Sequence, residues 1–490
     1  MTTNALPLLP LAIAEVPQAL TCMLRQAGVP IVSLREAPFG GRFVLYDSQS
    51  AAAPRLPSGQ TLIDVNEIRR MFDGDPFIEH SRRETARTVW QVGRWEASEE
   101  TASVDRGRLR RSCLSVLRRL VEQAGGVWGC VSAYPAPYRG AFCFRFDHDD
   151  FVPGDFDAVL AAIQGFEAAT THFVCASTHA AHPEALARLK GLDVGSHGYR
   201  HHTYRSCDDN VLNMARGIES LQLAGLAPVG FAAPHGRFQA ELQRALQLLG
   251  ISHSSEFALA FDDLPFAIGN PVIGDASLQL PIHPVCLGLV LEAVERQTPD
   301  DAAARHRAVD AVAEHFIRTA QAKFAAGEPV FLYGHPDGRL GRYPQVLRRL
   351  LSAVGDLPQL WRTNFTEFAR WWRRRDRVSV RVDESHDGWA VTAAGLGGAE
   401  DFAFELGCGD AATQLPLAAG GVSVSRSSLT RQTSTEIELP KPIRVEPLGG
   451  YKDRLRRWLD WERVTPIDEI SPRPFRNRIK RALRRVKERR

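Results

Sequence analysis

The sequence predicts an α/β fold, in which a central region of alternating strands and helices lies between a small N-terminal domain and a β-rich C-terminal part. Between residues 139 and 375, short apolar segments alternate with amphipathic helical segments, a pattern typical of parallel strands joined by helices. Residues 376–448 alternate apolar and polar side chains with a period of two, which is typical of half-buried strands. The length of 490 residues also exceeds that of one ordinary core.

The N-terminal part contains the first two predicted units. Residues 1–100 contain three short apolar segments separated by turn-rich loops, and we predict a small α/β domain of unknown role. Residues 101–138 are predicted to form a helical connector, because apolar side chains recur at helical spacing between residues 106 and 123. We find no chemical motif in these two units.

The central region, residues 139–375, contains the strand-then-helix repeat. The predicted strands span residues 141–146, 171–175, 192–195, 229–232, 251–253 and 330–333. Two amphipathic helices are predicted between the strands. One begins near Asp208 or Asp209, either of which suits an N-cap, and ends at Gly225; the other runs from about residue 239 to 249. The alternation favours parallel strands in a barrel or in a doubly wound sheet. Polar clusters follow several of these strands, where α/β folds place their active sites.

The C-terminal part combines a predicted β-sandwich-like module, residues 376–448, with a basic amphipathic tail, residues 449–490. The last twenty residues carry a net charge of +9 in a chain whose total is +3, so residues 1–470 sum to −6. In the tail an apolar stripe at helical spacing lies among arginines and lysines; its members are Phe475, Ile479, Leu483 and Val486. Such a helix suits an anionic membrane surface, so we expect peripheral contact through residues 473–490. Docking on the protein's own body and a frayed basic tail are the alternatives.

Composition excludes several classes of protein. The eight cysteines include no CxxC pair, so the chain contains neither a cysteine-zinc motif nor the cysteine pattern of a disulfide-rich fold. The N-terminus lacks a basic region before its apolar residues, and no run of eighteen uncharged apolar residues occurs. We therefore expect a cytoplasmic protein. The acidic balance of the body gives no reason to predict a specific nucleic-acid partner.

Two histidines and a group of carboxylates carry the predicted chemistry. His197 and His201 are four residues apart, a spacing that places both rings on one face of a helical turn. Asp147, Asp149 and Asp150 follow the first strand of the central region. Two imidazoles and one carboxylate form a catalytic type of divalent-metal site. We favour Asp149 as the carboxylate ligand, because it shares a face of an extended chain with Asp147, and Asp150 is the alternative. N-capping of the next helix by Asp149 or Asp150 is the purely structural interpretation.

Together with two further segments, this pattern resembles the polysaccharide deacetylase (NodB-homology, carbohydrate esterase family 4) superfamily. Four motifs occur in the family's order, each after a predicted strand. They are Phe146-Asp-His-Asp149, His197-Gly-Tyr-Arg-His201, Ala232-Ala-Pro-His-Gly236 and Phe331-Leu-Tyr-Gly-His335-Pro. Gly198 stands where the second motif usually has a hydroxyl residue. The resemblance covers about residues 139–375 and implies that this region is a distorted (β/α) barrel.

The resemblance also implies the roles of individual residues. Asp147 would be the general base, and Asp149, His197 and His201 would hold a divalent metal, which we expect to be Zn²⁺, with Co²⁺, Ni²⁺ or Mn²⁺ as alternatives. His335 would be the general acid, with a pKa near neutrality. Contacts to the substrate or to its oxyanion would come from the residues of the third motif and one of the second. These are Pro234, His235, Gly236 and Tyr199.

One departure from the family pattern concerns the arginine that pairs with the catalytic aspartate, because Ala232 stands at its position. Arg145, two residues before Asp147, is the candidate replacement. His283 follows a strand-like stretch; we favour a structural role for it, and sugar contact is the alternative.

These residues lead to one functional expectation and two alternatives. The first is metal-dependent hydrolysis of an N-acetyl group on an amino sugar, in a polysaccharide or a lipid-linked glycan precursor at the inner face of the membrane. The second is hydrolysis of a non-sugar linear amide at the same site. The third, favoured by the missing motif arginine, is a catalytically inactive glycan-binding or scaffold protein of envelope polysaccharide synthesis.

Overall fold

The computed structural model describes most of the chain. The described ranges are residues 6–37, 40–50, 52–56, 58–71, 85–268, 276–286, 288–297, 300–398, 401–431, 437–459 and 474–488. The fold is mixed α/β, as predicted, with one barrel and additional N- and C-terminal sheets. Within the described residues, none of the helices is both long and apolar enough to cross a membrane.

The N-terminal domain is a small parallel sheet with helices. Its strands pair in the order β2-β1-β3-β4. They are β1 (Leu11–Ile13), β2 (Ile31–Ser33), β3 (Phe43–Tyr46) and β4 (Thr61–Asp64), with helices α1 (Gln18–Ala27) and α2 (Asn66–Arg69). Helix α1 buries Leu20, Met23 and Leu24, because these side chains recur on one helical face.

The next segment leaves this domain and packs on the barrel. Strands β5 (Thr85–Val92) and β6 (Trp95–Ala102) form an antiparallel hairpin whose Trp90 and Ala97 belong to the barrel core. The N-terminal sheet therefore ends well before the boundary at residue 100 that we expected. The predicted connector helix forms as α3 (Arg106–Gln123), capped by the Asp105 carboxylate, and strand β7 (Trp128–Val131) follows it.

The central region is a closed, irregular barrel of mainly parallel strands. Its strands are β8 (Gly140–His148), β9 (Thr170–Val174), β10 (Asp193–Ser196), β11 (His253–Ser254), β12 (Phe266–Ala267), β13 (Leu278–Gln279), β14 (Val330–Gly334) and β15 (Leu360–Arg362). Parallel pairing runs from β14 through β8, β9 and β10, and continues through bridges at Phe231 to β11 and β13. The backbone N–H of His283 donates to the carbonyl oxygen of Phe331 at 2.8 Å and closes the ring. This closure excludes the doubly wound alternative.

Helices surround the barrel between its strands. They are α4 (Pro153–Ala162), α5 (Ala176–His179), α6 (Pro183–Arg188), α7 (Cys207–Leu223), α8 (Ala240–Leu248), α9 (Leu289–Gln297), α10 (Ala302–Ala325), α11 (Pro344–Gly355) and α12 (Phe365–Arg375). The predicted helix near residue 208 forms as α7, but Ser206 and not an aspartate caps it, by accepting from the N–H of Asp209.

The strand predicted at 229–232 is reduced to bridges at Phe231. Gly230 has φ +79°, and a Cβ there would lie 2.2 Å from the His253 ring.

The C-terminal module, which we predict to be sandwich-like, consists of strands in antiparallel sheets. Its strands are β16 (Ser379–Ser385), β17 (Gly388–Ala394), β18 (Ala403–Cys408), β19 (Ala411–Pro416), β20 (Val422–Ser425), β21 (Thr430–Arg431) and β22 (Arg444–Pro447). One sheet has the order β16-β17-β20, and the other is β21-β19-β18-β7. Two strands therefore cross between units, since β7 comes from the connector and β22 pairs with β5.

The basic tail contains helices α13 (Tyr451–Leu459) and α14 (Pro474–Glu488). Residues 460–473, 489 and 490 of the predicted tail lie outside the described residues. Three of the four members of the apolar stripe of α14 face solvent, with Phe475, Leu483 and Val486 exposed by 71, 40 and 55 %, whereas Ile479 is half-buried.

Candidate active site

The predicted metal ligands meet at the mouth of the barrel. Asp149 follows β8 and His197 follows β10, and the carboxyl ends of parallel strands lie at the same edge of a sheet. The Asp149 Oδ1 lies 3.2 Å from the Nε2 of His197 and 3.1 Å from the Nε2 of His201. One ligand atom from each of the three residues lies within 4.8 Å of the others, so a single cation can be shared among them.

Hydrogen bonding determines which nitrogen of His197 faces this cluster as a ligand. Its Nδ1 lies 2.8 Å from the carbonyl oxygen of Ala232. A carbonyl oxygen only accepts hydrogen bonds, so Nδ1 carries the hydrogen and Nε2 presents a lone pair. In the described part of the chain, this Nε2 and the Asp149 Oδ1 are buried without a hydrogen-bond partner. Buried polar atoms without partners are costly, and a divalent cation satisfies both, so the residues fit a metal.

The charges of the cluster are consistent with this fit. Burial raises the pKa of Asp149, but the neighbouring His335, His197 and His201 outweigh it and hold the pKa well below its usual range. Burial lowers the pKa of His201, but its contacts with Asp149 outweigh that effect and the pKa is raised. The cluster therefore favours a positive charge beside Asp149.

Asp150, the alternative ligand, lies outside the cluster. It is exposed, and its Oδ1 accepts a hydrogen bond from the N–H of Phe151 at 2.9 Å. Of the two neighbouring carboxylates, the structure brings only Asp149 to the histidines.

Asp147, the candidate base, forms a buried ion pair with Arg145. The guanidinium donates through Nε to Asp147 Oδ1 and through Nη2 to Oδ2, each at 2.6 Å. Both side chains lie on one face of β8, because alternate residues of a strand point to the same side. Burial raises the pKa of Asp147, but Arg145 outweighs it and the pKa is lowered. Arg145 therefore provides the guanidinium that is missing at Ala232.

His335 reaches the cluster from the end of β14. Its Nε2 lies 3.4 Å from the Asp149 Oδ2, and its Nδ1 lies 2.6 Å from the Nη1 of Arg339. Burial lowers the pKa of His335 to about 4, and the Arg339 charge contributes in the same direction. The expected pKa near neutrality is therefore wrong.

The third motif, residues 232–236, forms a tight turn at the cluster. His235 has φ +59°, and its ring stands edge-on to that of His201 at a centroid distance of 4.7 Å. Pro234 has no N–H, and the N–H of Gly236 donates to the carbonyl oxygen of Ala233 at 2.9 Å. Of the backbone N–H groups at residues 234–236, that of His235 is therefore the one available to donate a hydrogen bond to an oxyanion.

Two predicted residues point elsewhere. The ring of Tyr199 lies 3.8 Å from the Arg216 guanidinium, measured from the ring centroid, and its hydroxyl accepts from Arg216 at 3.1 Å. These contacts place the tyrosine against α7 rather than among the metal ligands. His283 is fully buried, with Nδ1 2.8 Å from Asp262 Oδ2 and its ring 5.0 Å from that of Trp90. These contacts agree with the structural role favoured from the sequence and not with the alternative of sugar contact.

Several residues near the site were not predicted. Arg339 and Cys286 both contact the Nδ1 of His335. Glu256, fully buried, accepts from the N–H of Ala233 at 3.2 Å, and burial raises its pKa to about 7. Arg339 lies four residues after His335, a spacing that could have been noticed; the others depend on long-range packing that no local pattern reports.

Comparisons with known proteins agree with the motifs. Residues 142–254 match the family model described as polysaccharide deacetylase. The resemblance to the polysaccharide deacetylase superfamily is confirmed. The matched residues include the first three of the four motifs. No match to a curated protein was found.

Solved structures resemble about half of the chain. A protein assigned as a polysaccharide deacetylase, from Mycobacterium smegmatis, is 22 % identical over 49 % of this chain and 94 % of its own, with a TM-score of 0.40. A chitin deacetylase from Colletotrichum lindemuthianum is 16 % identical over 48 % of this chain and 89 % of its own, with a TM-score of 0.33. Puue allantoinase is 17 % identical over 49 % of this chain and 92 % of its own, with a TM-score of 0.39.

Proposed function

We propose that this protein is a divalent-metal-dependent deacetylase that removes the N-acetyl group from an amino sugar in a polysaccharide or lipid-linked glycan precursor. The observation that carries the proposal is the convergence of Asp149, His197 and His201 beside the Arg145–Asp147 ion pair. Zn²⁺ is the proposed ion, with Co²⁺, Ni²⁺ and Mn²⁺ as alternatives. Three protein ligands leave a coordination position open, as in catalytic sites.

The metal would be held by Asp149, His197 and His201. When bound, a divalent cation supplies Lewis acidity, which makes water more acidic and polarises a carbonyl group. Asp147 is kept ionised by Arg145, so its carboxylate accepts the proton of the attacking water. Arg145 cannot compete for this proton, because a guanidinium stays charged at neutral pH.

The remaining groups orient and stabilise the substrate amide. The N–H of His235, at the left-handed turn, is a backbone donor for the oxygen that becomes negative as water adds to the carbonyl carbon. The Nε2 of His335 lies beside Asp149, 3.4 Å from its Oδ2. As the carbon–nitrogen bond breaks, the nitrogen needs a proton, and the Asp147 carboxyl group, which has taken one from water, can supply it.

Arg145 also bears on the inactive alternative. That alternative depended on Ala232, which removes the family arginine. Since Arg145 binds both oxygens of Asp147, the base keeps its cationic partner, and hydrolysis is favoured over a role in binding alone.

We further propose that the tail brings the enzyme to anionic lipid at the inner face of the membrane, where a lipid-linked precursor would be met. The exposed Phe475, Leu483 and Val486 share one face of α14, and basic side chains surround them. Each basic residue near such a surface contributes about 1 kcal/mol. Binding to vesicles with and without phosphatidylserine tests this proposal, with Phe475→Ser/Leu483→Ser as the variant. Equal binding by variant and wild type would contradict it.

The main test measures metal content and acetate release from N-acetylglucosamine oligomers. We expect bound metal, and acetate release that is lost in Asp147→Asn and kept in Asp150→Asn, because the second carboxylate is exposed and outside the cluster. Metal without acetate release from any sugar would favour a non-sugar amide. Absence of metal with retained glycan binding would favour the inactive alternative.

A further inference from the structure

A short turn after β14 brings an arginine back onto the histidine that precedes it. Residues Pro336–Leu340 form this turn, in which the N–H of Leu340 donates to the carbonyl oxygen of His335 at 3.2 Å and that of Gly341 to Pro336 at 2.9 Å. The turn places the Nη1 of Arg339 2.6 Å from the Nδ1 of His335. The contact is thus produced by the local fold of the segment.

This contact determines where the hydrogen of His335 is. A guanidinium has five N–H donors and no acceptor, so the Nδ1 of His335 must accept the hydrogen bond and cannot carry a hydrogen. The Cys286 Sγ lies 3.2 Å from the same nitrogen. Burial raises the pKa of this thiol to about 12, so Cys286 stays protonated and adds a second donor. The same pKa argues against Cys286 as a thiolate nucleophile.

Other residues hold the arginine in place. The Nε of Arg339 donates to Glu292 Oε1 on α9 at 2.7 Å. At Gly288 a Cβ would lie 2.3 Å from the Arg339 Cβ, so the glycine leaves room for the arginine stem. The N–H of Gly338 donates to Asp155 Oδ2 at 2.7 Å. The arginine is therefore held by contacts from α9 and from its own turn, and the turn is in turn held by α4. These contacts fix the orientation of the Arg339 side chain.

We propose that Arg339 is a positioning residue that fixes His335 in the tautomer protonated at Nε2. In this form His335 enters the reaction as a neutral hydrogen-bond donor, not as a metal ligand and not as an imidazolium acid. Its N–H points toward Asp149, since Nε2 and the Asp149 Oδ2 are 3.4 Å apart. What the N–H does for the substrate rests on the proposed function; the tautomer does not.

The proton balance of the hydrolysis follows from this assignment. Water adds to the carbonyl carbon and gives one proton to the Asp147 carboxylate. The carbon–nitrogen bond then breaks, its electron pair stays on nitrogen, and the Asp147 proton passes to that nitrogen. Acetic acid and the amine result, and the acid then gives its proton to the amine, so that acetate and an ammonium group leave. Asp147 returns to its ionised form, and the His335 N–H has contributed a hydrogen bond without being transferred.

Nuclear magnetic resonance of the metal-free protein, labelled with ¹⁵N in histidine, tests the tautomer directly. Two-bond ¹H–¹⁵N correlations report which ring nitrogen carries hydrogen, and His335→Gln assigns the signal. We expect His335 to be protonated at Nε2 alone at neutral pH. In Arg339→Met, which keeps the stem and removes the donors, we expect a shift toward a mixture of tautomers. Arg339→Lys, which keeps a donor, should restore the wild-type pattern in part.

Kinetics with added metal provide the second readout. Loss of a group that orients a functional histidine costs about 10–100-fold in activity, so we expect kcat of Arg339→Met to fall by that factor with KM little changed. Arg342→Met is the matched control, because Arg342 pairs with Glu295 on the same helix α9 and should leave both the tautomer and kcat unchanged.

The outcomes separate this inference from the proposed function. A wild-type His335 protonated at Nδ1, or at both nitrogens, overturns the inference, and so does an unchanged tautomer in Arg339→Met. The Nε2 tautomer in a protein that releases no acetate from any N-acetylated sugar supports the inference and contradicts the proposed function.

Discussion

Two clusters in one barrel combine a histidine with a buried or half-buried aspartate, and they satisfy the carboxylate differently. In the inner cluster, Asp262, His283 and Lys323, the lysine donates to Asp262 Oδ1 at 2.6 Å, and the His283 Nδ1 lies 2.8 Å from Oδ2. In the mouth cluster, Asp149, His197 and His201, the Asp149 Oδ1 faces two imidazole nitrogens and has no hydrogen-bond partner among the described residues.

The difference teaches what distinguishes a structural group of charges from a binding site. The pKa of Asp262 lies well below its usual range, because Lys323 and His283 outweigh the burial that raises it. The inner cluster therefore balances its charge with its own side chains. The mouth cluster instead presents a lone pair of His197 to an ionised carboxylate, and an external cation completes it. In the sequence, His197 and His283 both follow strand-like segments. Only their neighbours in the folded structure show which of the two belongs to a binding site.

The largest expected effect is on turnover at the mouth. Asp147→Asn keeps the shape of the side chain and removes the base, so we expect acetate release to fall by about 10²–10⁴-fold, the usual contribution of a general base. Initial rates at saturating substrate measure this, with circular dichroism as a check on folding. Activity within a few-fold of wild type would show that another residue is the base.

The next effect is on stability at the inner cluster. Lys323→Met leaves the buried Asp262 carboxylate with His283 alone, and removal of one partner from a buried ion pair costs about 3–5 kcal/mol. Urea denaturation measures the free energy of unfolding. Metal content should stay at the wild-type level, and a loss of metal without a loss of stability would reverse the roles that we give to the two clusters.

A third effect links metal to stability. A cation that binds only the folded state raises the free energy of unfolding by about 2.7 kcal/mol at a concentration one hundred times its Kd. We expect this gain in wild type and in Lys323→Met, and none in His197→Ala. Thermal unfolding with added Zn²⁺ or with a chelator reports it. An equal gain in all three proteins would place the bound metal elsewhere.

The smallest effect is expected for His283→Gln. The glutamine amide can still donate to Asp262 while Lys323 remains, so the cost should be about 1 kcal/mol, that of one hydrogen bond. Acetate release per folded protein should not change. A reduced kcat with unchanged stability would instead restore His283 as a residue of the active site.

Prediction from the sequence succeeded where neighbouring residues determine the structure. Helix α3 follows its apolar periodicity, and Asp149 and His197 occupy the ends of β8 and β10 because polar clusters follow buried strands. The choice of Asp149 over Asp150 came from strand alternation. These features depend on the local chain and on the fixed polarity of a parallel barrel.

Prediction failed where distant packing decides the outcome. The ring of Tyr199 turns toward Arg216 on α7. The exchange of β7 into the C-terminal sheet depends on contacts across more than two hundred residues. The low pKa of His335 arises from burial and from Arg339, and strand periodicity reports neither.

The most direct measurement of the central claim is the metal content of three purified proteins: wild type, Asp149→Asn and Asp150→Asn. The two substitutions are chemically identical and adjacent, but only Asp149 contacts His197 and His201. We predict one equivalent of divalent metal in wild type and in Asp150→Asn, and a large loss in Asp149→Asn. Equal metal content in the two variants, or a wild type that takes up no divalent metal, would contradict the account.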